Sequence, residues 1–188
     1  TSWDEARFES CGQKWMDMSE GHYGVSLLND CKYGHSALDG VMTLTLIKSG
    51  IEPNPTADQE EHTFTYALYP HAEGWRQANT VQEAMKLNQP LLSEEGGHAG
   101  CQNSFVWVDK SNVIIETVKM AEDDDGIIVR LYESENAKTK AHIFFGEKIS
   151  SVESCNCLEE IKQTIETDGE GFEITVKPYE IQTYRVRF

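Results

Sequence analysis

Basic residues are scarce in this 188-residue chain: 16 Lys and Arg stand against 32 Asp and Glu, a formal net charge of −16 at pH 7. A phosphate backbone demands Lys and Arg, so nucleic acid and anionic membrane surfaces are excluded as partners. Long apolar runs are missing too, and none approaches the ~20 residues needed to span a bilayer. The first residues, Thr1-Ser-Trp-Asp-Glu-Ala-Arg7, have neither a basic start nor an apolar h-region, so no signal peptide is visible. They start inside what reads as ordered structure, as a fragment would. Five cysteines, at 11, 31, 101, 155 and 157, include one Cys-x-Cys pair but no Cys-x2-4-Cys element of the structural zinc type. With an odd cysteine count and no Asn-x-Ser/Thr acceptor, the expectation is reduced thiols in a cytoplasm. No His-x-x-x-His spacing, Gly-x-Ser-x-Gly elbow, P-loop or internal repeat occurs.

What is present is β-forming text. Residues 5–17 alternate, with Gly12 allowing a bend. Asp39-Gly40 is the strongest short turn signal, and Val41–Ile47 reads as a strand covered on both faces. Residues 49–61 form a loop by composition, since Pro53 and Pro55 bar both a helix and a central strand. His62–Tyr69 alternates again, and Pro70 is expected to end it. Thr80–Asn88 is the one convincing helix, with Thr80 as N-cap and Glu83 completing a capping box. Glu94–Gly100 is an open Gly-rich loop and the candidate boundary between residues 1–100 and 101–188.

Beyond it, strands are predicted at Ser104–Val108, Val113–Met120, Ile127–Tyr132, Ala141–Gly146, Phe172–Val176 and Ile181–Phe188, with turns at regular spacing, as in a β-sandwich. Residues 150–166 fit less well: Leu158–Ile165 reads as strand and loop, with a helical turn as the alternative. The dense acidic run Glu122-Asp-Asp-Asp125 reads as a solvated turn rather than a calcium loop, which needs ligands spaced along a turn that folds back on itself. The class is all-β with one short helix.

The stretch that draws most attention is Gly21-His-Tyr-Gly-Val-Ser-Leu-Leu-Asn-Asp-Cys-Lys-Tyr-Gly34, a glycine-framed strand with a polar tip. Asn29, Asp30, Lys32 and Tyr33, with Tyr23 nearby, are of the right types to hold a hexose: hydroxyl donors and acceptors, and an aromatic ring to stack on it. Asn29-Asp30 also reads as a turn whose side chains satisfy backbone amides. Asp17, Glu20, Asp30 and Asp39 are the carboxylates from which a hydrolytic pair would be drawn, but sequence cannot measure the ~5–9 Å separations that decide it. His62 and His71 read as structural, and Trp15, Trp75 and Trp107 as core or inter-domain packing.

Together with Ala6-Arg-Phe-Glu-Ser-Cys-Gly-Gln-Lys-Trp-Met-Asp-Met-Ser-Glu20 and Phe64-Thr-Tyr-Ala-Leu-Tyr-Pro-His71, this stretch resembles the C-terminal region of family 38 glycoside hydrolases, nearest the cytosolic-type α-mannosidases. Farther on, Val113-Ile-Ile-Glu-Thr-Val-Lys119, Ile128-Val-Arg-Leu-Tyr132 and Lys177-Pro-Tyr-Glu-Ile-Gln-Thr183 still fit. His35 and Gln13 depart from the common pattern.

The resemblance implies that residues 1–100 are part of a large β-supersandwich of the galactose mutarotase-like kind, followed by a small β-sandwich. It also implies that the intact enzyme hydrolyses α-mannosidic bonds with retention, using zinc held in an N-terminal domain by a His-x-Asp pair among its ligands. None of the six histidines here is followed two residues later by Asp. This chain would therefore carry no metal, nucleophile or other catalytic residue. Its expected partners are an α-mannoside oligosaccharide and the N-terminal catalytic part, with homo-oligomerisation left open. The alternative is an autonomous carbohydrate-binding or interaction sandwich.

Overall fold

The computed structural model describes residues 2, 8–93, 95–96 and 104–188. It divides into two units, Thr1–Glu95 and Gly96–Phe188. Cys101 and most of the expected 94–100 loop lie outside the described residues, as do Ala6 and Arg7 of the first predicted strand.

Among its described residues the first unit holds two three-stranded sheets. In one, β2 (Trp15–Glu20) and β3 (Tyr23–Asn29) form a hairpin around Gly21-His22, and β6 (Tyr66–Ala72) pairs with the other side of β3, all antiparallel. In the other, β4 (Gly34–Leu38) lies between β1 (Ser10–Cys11) and β5 (Val41–Thr45). Asp39 and Gly40 both have positive φ, 51° and 78°, the mirror-image turn that matches strand twist in a two-residue hairpin.

Cross-strand partners share a face, so Met16, Met18, Val25, Leu27, Tyr66 and Leu68 line one side of the β2–β3–β6 sheet. Trp15, Asp17, Ser26, Leu28, Tyr69 and His71 line the other. Helix α1 (Thr80–Asn88) packs on that second side, where the Ser26 and Thr80 hydroxyls meet at 2.8 Å.

Three expectations are corrected here. The strand begins at Tyr66, not His62, and runs through Pro70 to Ala72, because β6 is an edge strand whose outer side needs no N–H donor. Residue 80 is not the N-cap: Asn79 holds that position with φ 53° and no side-chain cap bond, while the Thr80 hydroxyl turns inward to Ser26. Within this unit β5 is not covered on both faces, for Val41 is 58% exposed.

The second unit is a sandwich. Strands β7 (Val106–Val108), β10 (Thr139–Phe145) and β13 (Gly171–Val176) form a sheet in the order β13–β10–β7. Strands β8 (Val113–Met120), β9 (Ile127–Glu133), β11 (Ser151–Cys155), β12 (Ile161–Ile165) and β14 (Ile181–Arg187) form the other, ordered β12–β11–β14–β9–β8. Alternate residues of both sheets make one core: Val129 and Leu131, Ile143 and Phe145, Phe172, Ile174 and Val176, Val152, Tyr184 and Val186. The all-β expectation is borne out, and residues 161–165 are strand rather than helix.

The acidic turn is not merely solvated. Arg185 donates to Asp123 at 2.7 Å, and Arg187 grips both oxygens of Asp125 at 2.9 and 2.8 Å while reaching Glu153 at 2.7 Å. These arginines alternate with the core residues Tyr184 and Val186 along β14, so the strand's outward side holds the turn that its inward side cannot reach.

Candidate functional site

The polar tip of β3 is built largely from its own side chains. Asn29 is fully buried: its Oδ1 accepts the Lys32 N–H at 2.9 Å, its Nδ2 meets His35 Nε2 at 3.2 Å, and its carbonyl accepts from Asn88 Nδ2 at 3.0 Å. Asp30 Oδ2 accepts the Thr65 N–H at 2.9 Å, tying the turn to the segment before β6. The Cys31 thiol, and after it the Thr65 N–H, hold the Asp30 carboxyl below the usual carboxylate range; the same contact pushes the Cys31 thiol up. Lys32 places its ammonium 4.7 Å from the centre of the Phe64 ring. Tyr33, 53% exposed, lends its carbonyl to Gly12 N and His35 Nδ1 and leaves its ring at the surface.

The five candidates are therefore not one cluster. Asn29 is internal and acts by holding the turn, the second of its two readings. Asp30, Lys32 and Tyr33 stay together at the tip with Phe64. Tyr23 lies at the opposite end of β3, roughly 20 Å away at strand rise, beside a pocket with Met18, Glu20 and Met42.

Sequence reasoning missed the buried network behind the tip. Asp17 Oδ2 lies 2.7 Å from His71 Nε2 and accepts from Ser26 Oγ at 2.7 Å, while Asp17 Oδ1 accepts from Ser19. Ser26 Oγ also lies 3.2 Å from His71 Nε2. Asp17 and His71 stand 54 residues apart, so no local motif could show the pair. A Cβ on Gly24 would fall 2.3 Å from His71 Cε1, which explains a glycine in the middle of a strand. Asp17, one of the four carboxylates from which a hydrolytic pair would be drawn, is held inside this network. Among the described residues, no three His, Cys, Asp or Glu side chains gather as metal ligands would.

On the far side of the same sheet the first unit is open. Val25, Leu27, Tyr66 and Leu68 face Val41, Met42, Leu44 and Leu46 of β5 and its extension across a groove of about 530 Å³. Leu68 is 68% and Tyr66 57% exposed, so the apolar side is under-covered by the described residues.

Two family models match the chain: the glycosyl hydrolases family 38 C-terminal domain over residues 1–56, and the glycosyl hydrolases family 38 C-terminal beta sandwich domain over residues 112–184. Together they take in more than half of its length. Alpha-mannosidase G of Dictyostelium discoideum is 37% identical over 98% of this chain and 18% of its own length. Human alpha-mannosidase 2C1 is 37% identical over 85% of this chain and 16% of its own. The crystal structure of an alpha-mannosidase from Enterococcus faecalis V583 shares the fold, with a TM-score of 0.76 at 20% identity over 98% of this chain and 22% of that one. The chain spans about a fifth of the length of the curated relatives it matches.

Proposed function

Because the chain belongs to the C-terminal region of glycosyl hydrolase family 38, we propose that it is the non-catalytic β-scaffold of a retaining, zinc-dependent α-mannosidase of the cytosolic type. The observation that carries this reading is the open apolar groove of the first unit, in a chain with a fifth of its relatives' length. The occupant is the N-terminal part of the same enzyme, whose chain supplies the missing cover over Leu27, Leu44, Tyr66 and Leu68. That part would hold the zinc ion, the nucleophile and the acid/base; retention needs two carboxyl groups about 5 Å apart. The resemblance puts both outside this chain, in which Asp17 is engaged by Ser19, Ser26 and His71 and Asp30 by the Thr65 N–H.

In the intact enzyme, Asp30, Lys32 and Tyr33 would meet the α-mannoside oligosaccharide at the rim of its site. Asn29 positions them, and Tyr23 serves a separate contact. The free thiols of Cys11, Cys31, Cys155 and Cys157 agree with a cytoplasmic setting.

The test expresses this chain and the N-terminal part separately and together, and assays an aryl α-mannoside. Zinc-dependent activity should appear on mixing, and Leu68→Asp should reduce it while leaving the isolated chain folded. Hydrolysis by the isolated chain, or full activity of the N-terminal part alone, would overturn the proposal. A dimer of this chain that Leu68→Asp dissociates would assign the groove to a second copy instead.

A further inference from the structure

A second polar site lies in the C-terminal sandwich. Edge strands β12 and β13 belong to different sheets, and the loop joining them closes one side of a cavity of about 540 Å³. Its polar lining is Thr164, Glu166, Thr167 and Asp168 from the loop and β12, with His142 and Glu173 from the sheet, and Ile165 and Phe172 complete it. That volume falls within the usual range of small-ligand sites, about 300–1,000 Å³.

His142 is the pivot. Its Nε2 is shut off from solvent, has no hydrogen-bond partner, and stands 3.8 Å from Asp168 Oδ2, too far for a direct bond. A buried polar atom left in this state is unfavourable, and a turn of the imidazole that brings it to a hydroxyl in the cavity relieves it. Gly171 makes room for the ring, since a Cβ there would come within 2.6 Å of this nitrogen. The loop is not a loose acidic cluster. Asp168 Oδ1 takes the Glu170 and Gly171 N–H groups at 2.9 and 2.8 Å, which leaves Oδ2 for the cavity. The other side of the imidazole packs on Phe144 at 4.3 Å, and Phe144 stacks with Trp107 at 5.4 Å and 11°. Trp107 is not a core residue of its unit, one of the two roles the sequence offered it, but lies 43% exposed on the outer side of the sheet.

We infer that this pocket and its aromatic row bind a neutral pyranose, an α-linked mannoside if the function proposed above holds. Hydroxyl groups both donate and accept, as the imidazole nitrogen, carboxylates and threonines together require, and the C–H side of a pyranose suits an exposed indole. The ring row runs on from the pocket over two centroid steps of 4.3 and 5.4 Å, room for a second sugar ring. Three carboxylates repel an anion, so the site discriminates against phosphorylated or carboxylated sugars.

Backbone and indole NMR of the whole chain, titrated with α-linked mannobiose and with mannose 6-phosphate, tests this. Millimolar binding of mannobiose should shift Trp107, His142 and residues 164–173, with no response to the phosphate. His142→Ala should weaken it about tenfold and Glu166→Gln severalfold, with the amides of Val129 and Val186 unmoved. Absence of these shifts at millimolar sugar, or equal binding to both variants, overturns the inference. Shifts confined to residues 30–33 reject this pocket and leave the enzyme-scaffold reading standing. Shifts with spermidine but not with mannobiose assign the pocket to cations and reject the saccharide.

Discussion

Glu133 ends β9 with its carboxylate entirely inside the second unit, satisfied by N–H groups. Oε1 accepts from Asn112 Nδ2 at 2.9 Å and from the Glu135 N–H at 2.8 Å, and Oε2 accepts from the Tyr179 N–H at 3.0 Å. Three loops are thereby tied to one side chain. Burial alone would raise its pKa, but the N–H groups of Tyr179, Glu135 and Asn112 outweigh it and hold the carboxyl below the ordinary glutamate value.

Glu133→Gln keeps the shape and one acceptor oxygen. If that oxygen retains Asn112 and Glu135, the new NH2 confronts the Tyr179 N–H. One charge-assisted bond is lost and a buried donor is orphaned, about 2–3 kcal/mol in all. Hydrogen exchange at the core amides of Val129, Leu131 and Val186 reads this unit without interference from the other. It should accelerate roughly 30- to 150-fold. The sign with pH follows from the lowered value. The native carboxylate contributes its full stability above the ordinary glutamate pKa of 4.5, and loses it as pH falls through the lower folded value. The difference between native and variant exchange should therefore shrink on acidification below that point. Exchange in Glu133→Gln within about threefold of the native rate near neutral pH would refute the reasoning.

Gly24→Ala forces a methyl group into His71 and Ser19, at 2.3 and 2.4 Å; it should cost about 1–3 kcal/mol and release protection at Ser26 and Leu28 in exchange experiments. Gly171→Ala meets the Ile143 carbonyl at 2.1 Å, where no side chain can move aside, so expression of folded chain, judged by the dispersion of its NMR spectrum, should fall sharply. Arg187→Met removes the grip on Asp125 and Glu153 and should cost about 1 kcal/mol in denaturant titration, with the native chain more salt-sensitive than the variant. Leu68→Asp should change the stability of the isolated chain by less than about 0.5 kcal/mol, because its side chain is already in water.

The second unit was largely legible because its information is local. Strands such as Ile127–Glu133 and Gly171–Val176 have one buried side, so inward residues recur every second position and turn residues separate the runs. The hard segment, residues 151–165, lacks this pattern at its end: Ile161, Lys162, Gln163 and Thr164 are all exposed on the edge strand β12. Pro70 was misjudged for a related reason. A proline ends a central strand and is tolerated in an edge strand, and which of these β6 is depends on sheet order, not on its neighbours in sequence. Thr80 carries the signature of a cap, but a hydroxyl that can cap can equally bond a buried serine, and the packing of α1 on β3 selects the second.

The polar tip shows where residue type stops being informative. Asn, Asp, Lys and Tyr suit a sugar and suit a self-satisfied turn equally well; the Asn29 side chain is held by the Lys32 N–H and His35, and its carbonyl by Asn88, 59 residues beyond it. The network behind it can be argued further. Asp17 and Ser26 both meet His71 at Nε2, whereas a nucleophilic relay needs the acid on one imidazole nitrogen and the hydroxyl on the other. Its geometry therefore suits positioning, and the period of two along β3 says what is positioned. Ser26 faces Thr80 and His71, and Leu27 faces the open groove. A slip of one residue would drive a leucine into the polar cluster and a hydroxyl into the groove. The Asp17–His71–Ser26–Thr80 contacts thus fix the register that presents Val25 and Leu27 to the groove, and with them the depth at which the Asn29–Tyr33 turn stands at the end of the strand.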